Sequence, residues 1–399
     1  MTAPMDGPGR GTRILLVISA QPPDDLATRV DGDREPRRDY LALRDALDAD
    51  LLTPDEARRT RTGSLLGRIA GKRAALIWEA FRRGRSYDAV FTDAEYTGLP
   101  LALLQKASLA RRGHPRHVML THYLTPAKKR LLFRLGAASH IDALIVHSSA
   151  QRVRATGDLR VPEHKVHCLP YFADERFWRP LPAAGEPARP MICAVGLEFR
   201  DYDTLVAAAR DLDVDVRIAA GSHWSHHDAF AGSPVLPPNV TVASYHYPEL
   251  RALYAAARFV VVPLREVDNQ AGITVILEAM AMGKAVIVSG TRGQTDVVRD
   301  RLNGGRGNVE REWWPGFVDA PEVRERLGTL PTGFYVRPGD ANDLRDAIAY
   351  LLNHPDVADE LGRNGRRVVE ELFTLDAFTA RFAALIRGER SPVATPATR

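Results

Sequence analysis

The strongest constraint in this sequence is a recurring alternation of short apolar runs, each the length of one buried strand, with longer stretches of helical periodicity. The runs fall at 14–18, 89–92, 118–121, 143–146, 166–169, 192–195, 216–219, 240–242, 259–263 and 285–288. Strands that are apolar on both faces belong to parallel sheets covered by helices on each side. About ten of them in 399 residues exceed one such core and predict an α/β chain of two Rossmann-like, doubly wound lobes. Between 177 and 190 the residues Pro180, Pro182, Pro187 and Pro190 interrupt regular structure just before a fresh strand. The division expected is therefore a first lobe over 1–175 and a second over 176–373, with flexible tails at 1–12 and 389–399. A ligand of such a chain lies between the lobes, beyond the C-terminal ends of the strands.

Several ligand classes are disfavoured at once. The first strand is followed by Ser19-Ala20-Gln21-Pro22-Pro23 rather than by a glycine fingerprint, which argues against a nicotinamide or flavin, and no phosphate-binding P-loop motif occurs. A formal charge of +4 is too small to predict nucleic-acid binding. The two cysteines, Cys168 and Cys193, make neither a disulfide framework nor a zinc ribbon, which fits a reducing cytoplasm. No apolar run is long enough to span a bilayer.

The most informative stretch runs from Val261-Val262-Pro263 through Asp268-Asn269-Gln270-Ala271-Gly272 into Ile273-Thr274-Val275-Ile276-Leu277-Glu278-Ala279-Met280, and stops at Gly283. It reads as strand, polar loop and helix. At Ala271-Gly272 the free N–H groups of the helix start and the positive end of its dipole offer a seat for a diphosphate. Thr274 and Glu278 share one face, and Glu278 leans back toward that end, where its two oxygens suit the vicinal hydroxyls of a ribose. The competing reading is an amphipathic helix with Glu278 in solvent.

This stretch resembles the signature of the retaining glycosyltransferases of the GT-B fold, family 4, in which two Glu residues flank seven others. Gln270 stands at the first Glu position, which contacts the transferred sugar in the family, and Glu278 at the second, which holds the nucleotide ribose. Gln270 keeps hydrogen-bonding capacity and loses the charge. The resemblance continues elsewhere, over roughly 85–375. Val195-Gly196-Leu197-Glu198-Phe199-Arg200 is similar to the segment opening the second lobe, where a glycine turn and a basic residue meet the diphosphate; Arg200 is the candidate base, with a surface pairing to Glu198 or Asp201 as the alternative. Tyr245 and His246 lie in the segment that borders the nucleotide base in the family, Ser289 to Asp296 matches a later loop, and Lys165 to Asp174 resembles the strand before the linker. His122, closing a first-lobe strand, is the candidate for contact with the donor sugar.

The resemblance implies transfer of a glycosyl group from a nucleotide diphosphate sugar, a UDP-sugar ahead of GDP- or dTDP-sugars, to a hydroxyl acceptor, with the anomeric configuration retained. His122, Arg200 and Gln270 are the catalytic candidates; Gly196, Glu198, Arg200, Tyr245, His246, Asn269, Gln270, Ala271, Gly272, Ile273, Thr274 and Glu278 are the donor-binding ones. It also implies that no metal is required, and that the final helix, about 374–388, crosses back to the first lobe. The acidic groups Asp31/Asp33, Asp48/Asp50 and Asp211/Asp213/Asp215 read as loops and helix ends, and the histidines at 223–227 and 164/167 lack a complete ligand set. The acceptor stays open among natural products, aminocyclitols, polysaccharides and lipids, as does the oligomeric state. A nucleotide-sugar epimerase, a phosphorylase and a silent donor-binding subunit remain as alternatives, the last because of Gln270.

Two features lie outside the signature. The stretch 126–135 predicts a helix with Leu131, Leu132 and Leu135 inward and Phe133 among basic residues on the outside, a face suited to weak contact with an anionic membrane or acceptor. Residues 303–332, with Trp313 and Trp314, look like an insertion, either a flap over the site or a peripheral hairpin.

Overall fold

In the computed structural model, residues 12–108, 114–182, 189–221, 236–301, 327 and 330–389 are described. The first sheet holds β1 (Ile14–Val17), β2 (Asp50–Leu52), β3 (Ala89–Thr92), β4 (Arg116–Leu120), β5 (Ala143–Val146) and β6 (Val166–Cys168) in the order β2-β1-β3-β4-β5-β6. The second holds β7 (Met191–Val195), β8 (Asp215–Gly221), β9 (Val240–Ser244), β10 (Val260–Val262), β11 (Val286–Ser289) and β12 (Gly333–Val336) in the order β12-β11-β10-β7-β8-β9. Every pairing of neighbouring strands is parallel.

All ten expected strands are present, shifted by a residue or two at their ends. The two additions, β2 and β12, lie at sheet edges. The strand orders place a topological switch at β1/β3 in the first sheet and at β7/β10 in the second. Such points open a crevice at the strands' C-terminal ends, because the following connections leave in opposite directions.

The central strands are buried along their whole length: Ile14 to Val17, Val90, Val118 and Leu144 in one sheet, Ile192 to Ala194, Val260 and Ile287 in the other. The last helix, Leu375–Arg387, packs Leu375, Phe378 and Phe382 into the core of the first sheet beside Leu16 and Phe91. The lobes are joined by more than the chain. Asp33 accepts from Arg251 at 2.9 Å and from the linker residue Arg179 at 2.8 Å, Arg154 meets Asp268 at 2.9 Å, and Ser149 donates through its amide and hydroxyl to Asp296, each at 2.7 Å.

The helix Ala127–Arg134 forms with its faces rotated from the expected setting. Phe133 is buried at 6% exposure, whereas Leu131 and Leu135 are 55% and 53% exposed among Lys128, Arg130 and Arg134. Lys129 sets the rotation: its ammonium pairs with buried Glu95 and bonds the Tyr123 carbonyl, which turns Phe133 inward. Asp50 opens β2 and Asp215 opens β8, so these two acidic residues begin strands rather than lying in loops. Both cysteines are buried and unpaired. Among the described residues no helix is long and apolar enough to cross a membrane, and no group of three or more His, Cys, Asp or Glu side chains is arranged to hold a metal ion. The histidines at 223–227 and the stretch 303–332, apart from Leu327 and residues 330–332, lie outside the described residues.

Candidate active site

A cleft of about 310 Å³ opens between the lobes at the second sheet's switch point. Its second-lobe wall is built by the two connections that leave β7 and β10. After β7 the chain turns at Gly196, with φ +104°, and Phe199 also takes a positive φ of 58°. This turn throws Arg200 back across the crevice, where its backbone pairs with Leu264 in the connection after β10.

Arg200 is only 8% exposed. Its Nε donates to the Val195 carbonyl at 2.8 Å and its Nη1 to the Glu198 carbonyl at 2.9 Å. Among the described residues it makes no ion pair with a carboxylate; Asp201 instead caps the helix Tyr202–Ala209, and the surface pairing with Glu198 or Asp201 does not form. Burial pushes the guanidinium's pKa down from its usual value, although an Arg stays protonated throughout the accessible range. The result is a fixed cation, held by carbonyls and lacking a counter-anion.

Facing it is the start of the helix Ile273–Ala281, whose N-cap Gly272 has φ +78° and supplies no side-chain cap. A Cβ at Gly272 would lie 3.7 Å from Arg200 Nη1, which shows how near the guanidinium stands to the open helix end. Uncapped N–H groups, the helix dipole and a buried guanidinium converge on one spot, and that combination selects an anion. The Gly196 turn is part of the device, since a Cβ there would sit 2.4 Å from Arg200 Nη2. Gly196→Ala is therefore expected to displace the guanidinium and cost about 1–2 kcal/mol in backbone strain. Nucleotide affinity, measured by calorimetry on the folded variant, should fall about tenfold or more.

Gln270 is 8% exposed and lines the cleft with a buried Oε1 that has no hydrogen-bond partner; the neighbouring Asn269 Oδ1 is in the same condition. Buried carbonyl oxygens without donors are costly alone, and both await hydroxyl or amide donors. Ala271, Ile273 and Thr274 complete this wall, with Tyr171 lining the cleft from the end of the first lobe.

Glu278 does not face solvent. The helix is buried from Val275 through Ala281, and Glu278, 8% exposed, accepts a 3.0 Å hydrogen bond from the Tyr254 hydroxyl behind the cleft wall. Burial raises its pKa to about 8, against the smaller opposing effect of the Tyr254 bond. Near neutral pH this favours the protonated form of Glu278.

On the first-lobe wall His122 takes an exposed position, with Nε2 3.0 Å from the Asp93 carbonyl and its amide on Glu95. Beside it is His147, which sequence reasoning missed. His147 follows β5 directly, with Nδ1 2.9 Å from the Leu169 carbonyl, so Nδ1 carries the proton and Nε2 is left as a buried, unpartnered acceptor. Burial lowers its pKa to about 3, and the ring is neutral. Gln151, also missed, fixes His122 through a 2.6 Å bond to its carbonyl. The available signal was positional: polar residues immediately after a buried strand, at its C-terminal end.

Of the predicted residues, the cleft brings together His122, Glu198, Arg200, Asn269, Gln270, Ala271, Gly272, Ile273 and Thr274. Gly196 and Glu278 support it from behind. Tyr245 and His246 are not part of this lining: Tyr245 packs against the core, and His246 starts the helix Tyr247–Ala256 in a reciprocal cap with Glu249.

Residues 197–312 match the family model described as glycosyl transferases group 1. Sucrose-phosphate synthase from Thermosynechococcus elongatus superposes with a TM-score of 0.63 at 19% identity, over 94% of this chain and 98% of that one. HepE from Anabaena, solved in complex with UDP and glucose, gives 0.64 at 14% identity over 94% and 100%. A glycosyltransferase from Rickettsia africae gives 0.59 at 15% over 95% and 99%. At these identities the likeness is one of fold. No curated protein matches the sequence. The family match thus spans the second-lobe wall of the cleft, and the two-lobed fold around it is the GT-B fold of these structural neighbours.

Proposed function

We propose that the protein transfers a sugar from a UDP-sugar to a hydroxyl acceptor with the anomeric configuration retained. The observation that carries this reading is the buried Arg200, without a carboxylate partner, at the uncapped start of the helix Ile273–Ala281. It is a site for a diphosphate, and the titles of HepE and of TarM from S. aureus, whose structures contain UDP, favour the uridine nucleotide.

In this reading Arg200 and the helix N-terminus bind the diphosphate, and Glu278 gives its second carboxylate oxygen to the ribose. Gln270 and Asn269 receive donor-sugar hydroxyls on their unpartnered oxygens, and His122 borders the sugar from the opposite lobe. As the bond from the anomeric carbon to the diphosphate oxygen breaks, negative charge grows on the leaving group, where the fixed guanidinium and helix dipole already point. The acceptor hydroxyl forms the new bond on the same face and passes its proton to a phosphate oxygen. The chain's contribution is orientation and charge stabilisation.

The test is turnover of a panel of UDP-sugars by the purified chain, with the product's anomeric configuration read by NMR. Release of UDP with an α-linked product from an α-linked donor is expected. An inverted product would overturn the stereochemical assignment, and turnover of GDP- or dTDP-sugars alone would overturn the nucleotide.

A further inference from the structure

The switch point of the first sheet, between β1 and β3, adjoins the same cleft: the carbonyl of Asp93, directly after β3, lies 3.0 Å from Nε2 of the lining residue His122. Three carboxylates gather at this edge. Glu95 is satisfied: the Lys129 ammonium pairs with one oxygen and the His122 amide donates to the other at 2.9 Å. Asp93, directly after β3, accepts from the Ser19 amide and hydroxyl at 2.8 and 2.7 Å, both on Oδ2. Its Oδ1 is buried with no partner. Asp39, at the start of the helix Asp39–Leu47, lies close enough to Asp93 and His122 for their charges to interact. Among the described residues neither Asp93 nor Asp39 forms an ion pair. Arg73 is occupied elsewhere, over the Tyr96 ring at 4.4 Å.

A second observation points the same way from another strand. His147, 4% exposed, lines the cleft with an unpartnered Nε2 acceptor, its ring centroid 6.1 Å from that of His122. The crevice therefore offers hydrogen-bond acceptors on two sides and two carboxylates that lack a cation. Asp93 and Asp39 are half-buried, and a carboxylate held partly out of water without a cation carries a cost that a cationic donor reduces.

We infer that this crevice is the acceptor subsite and that it takes a polyhydroxylated ring bearing a protonated amine, with the ammonium on Asp93 and Asp39 and the neighbouring hydroxyls on His147 and His122. The inference rests on the glycosyltransferase reading above and narrows its acceptor to one chemical class. Burial raises the carboxyl of Asp93 to about 6 and that of Asp39 in the same direction, as expected for an acid pair waiting for a cation.

The test is calorimetric titration of the full chain, with and without saturating UDP, using two matched pairs: glucosamine against glucose, and 2-deoxystreptamine against myo-inositol. In at least one pair the amine should bind about tenfold tighter. Asp93→Asn should reduce that advantage to about twofold while leaving UDP affinity unchanged. Asp39→Asn serves as the second variant if the first does not fold. An amine that binds no better than its hydroxyl partner in both pairs, or an advantage that survives both substitutions, overturns the inference. Failure of UDP to bind the wild-type chain would instead count against the donor reading, and an amine preference measured without UDP would then stand alone.

Discussion

Arg200→Ala is expected to lower kcat/KM by about 10²–10³, with most of the loss in kcat, because the guanidinium acts where charge develops on the departing diphosphate. The magnitude follows from its setting. Two backbone carbonyls hold Arg200 in place at 2.8 and 2.9 Å, and among the described residues it forms no ion pair, so little reorganisation is needed as the bond breaks. Arg200→Lys should recover only part of the loss, since an ammonium cannot keep both carbonyl contacts and still present two donors to a phosphate. Steady-state kinetics with a UDP-sugar, alongside circular dichroism to show that the variants fold, would check this. Equal kcat in wild type and Arg200→Ala would remove Arg200 from the chemistry.

Glu278→Gln should have two opposite effects. Protonation of wild-type Glu278 in the fold contributes stability that is fully present below the ordinary carboxyl value of 4.5 and is lost as pH rises through about 8. The variant carries no such titration, so its melting temperature relative to wild type should climb across that window, by several degrees at its upper end. Its affinity for nucleotide should fall by about 10- to 100-fold, because ribose hydroxyls donate to a carboxylate more strongly than to an amide oxygen. In wild type those same hydroxyls favour the ionised form. Binding should therefore release a proton and tighten as pH rises toward about 8. Calorimetry in two buffers of different ionisation enthalpy reads the proton directly, and thermal melts across the pH window read the stability. Loss of affinity without proton release in wild type would mean that Glu278 supports Tyr254 rather than the ribose.

The parts of the fold that were legible in the sequence are those where one residue pattern admits one environment. Val260, Val261 and Val262 are all buried and read plainly as a central parallel strand. β2 carries Asp50 and a partly exposed Leu51 at a sheet edge, and its three residues give no run long enough to distinguish from a turn. The helix Ala127–Arg134 was legible as a helix and misread in its rotation. Leu131, Leu132 and Phe133 are adjacent on a short helix, and a contact between Lys129 and Glu95, 34 residues away, decides which of them faces the core.

In the site, residue types were visible and their partners were not. Arg200 was picked out through the family resemblance and the Gly272 helix start through the strand, loop and helix pattern, yet the lack of an ion pair at Arg200 among the described residues is a property of the packed turn. Likewise Glu278 was read on one helix face with Thr274, but its burial against Tyr254 arises from two elements packing together across the second lobe. His147 was invisible because a single His after a strand carries no motif; only the Leu169 carbonyl, 2.9 Å from Nδ1, fixes its tautomer and leaves Nε2 as a buried acceptor without a partner.

The central claim is that the Gly196 turn, Arg200 and the start of the helix Ile273–Ala281 form a seat for a nucleoside diphosphate. Titration of the purified chain with UDP and with uridine, for wild type and Arg200→Ala, tests it most directly. Binding of UDP to wild type, with uridine weaker by about 100-fold or more and the UDP advantage largely lost in Arg200→Ala, is the predicted result. Equal affinity for UDP and uridine, or an undiminished UDP advantage in the variant, would contradict it.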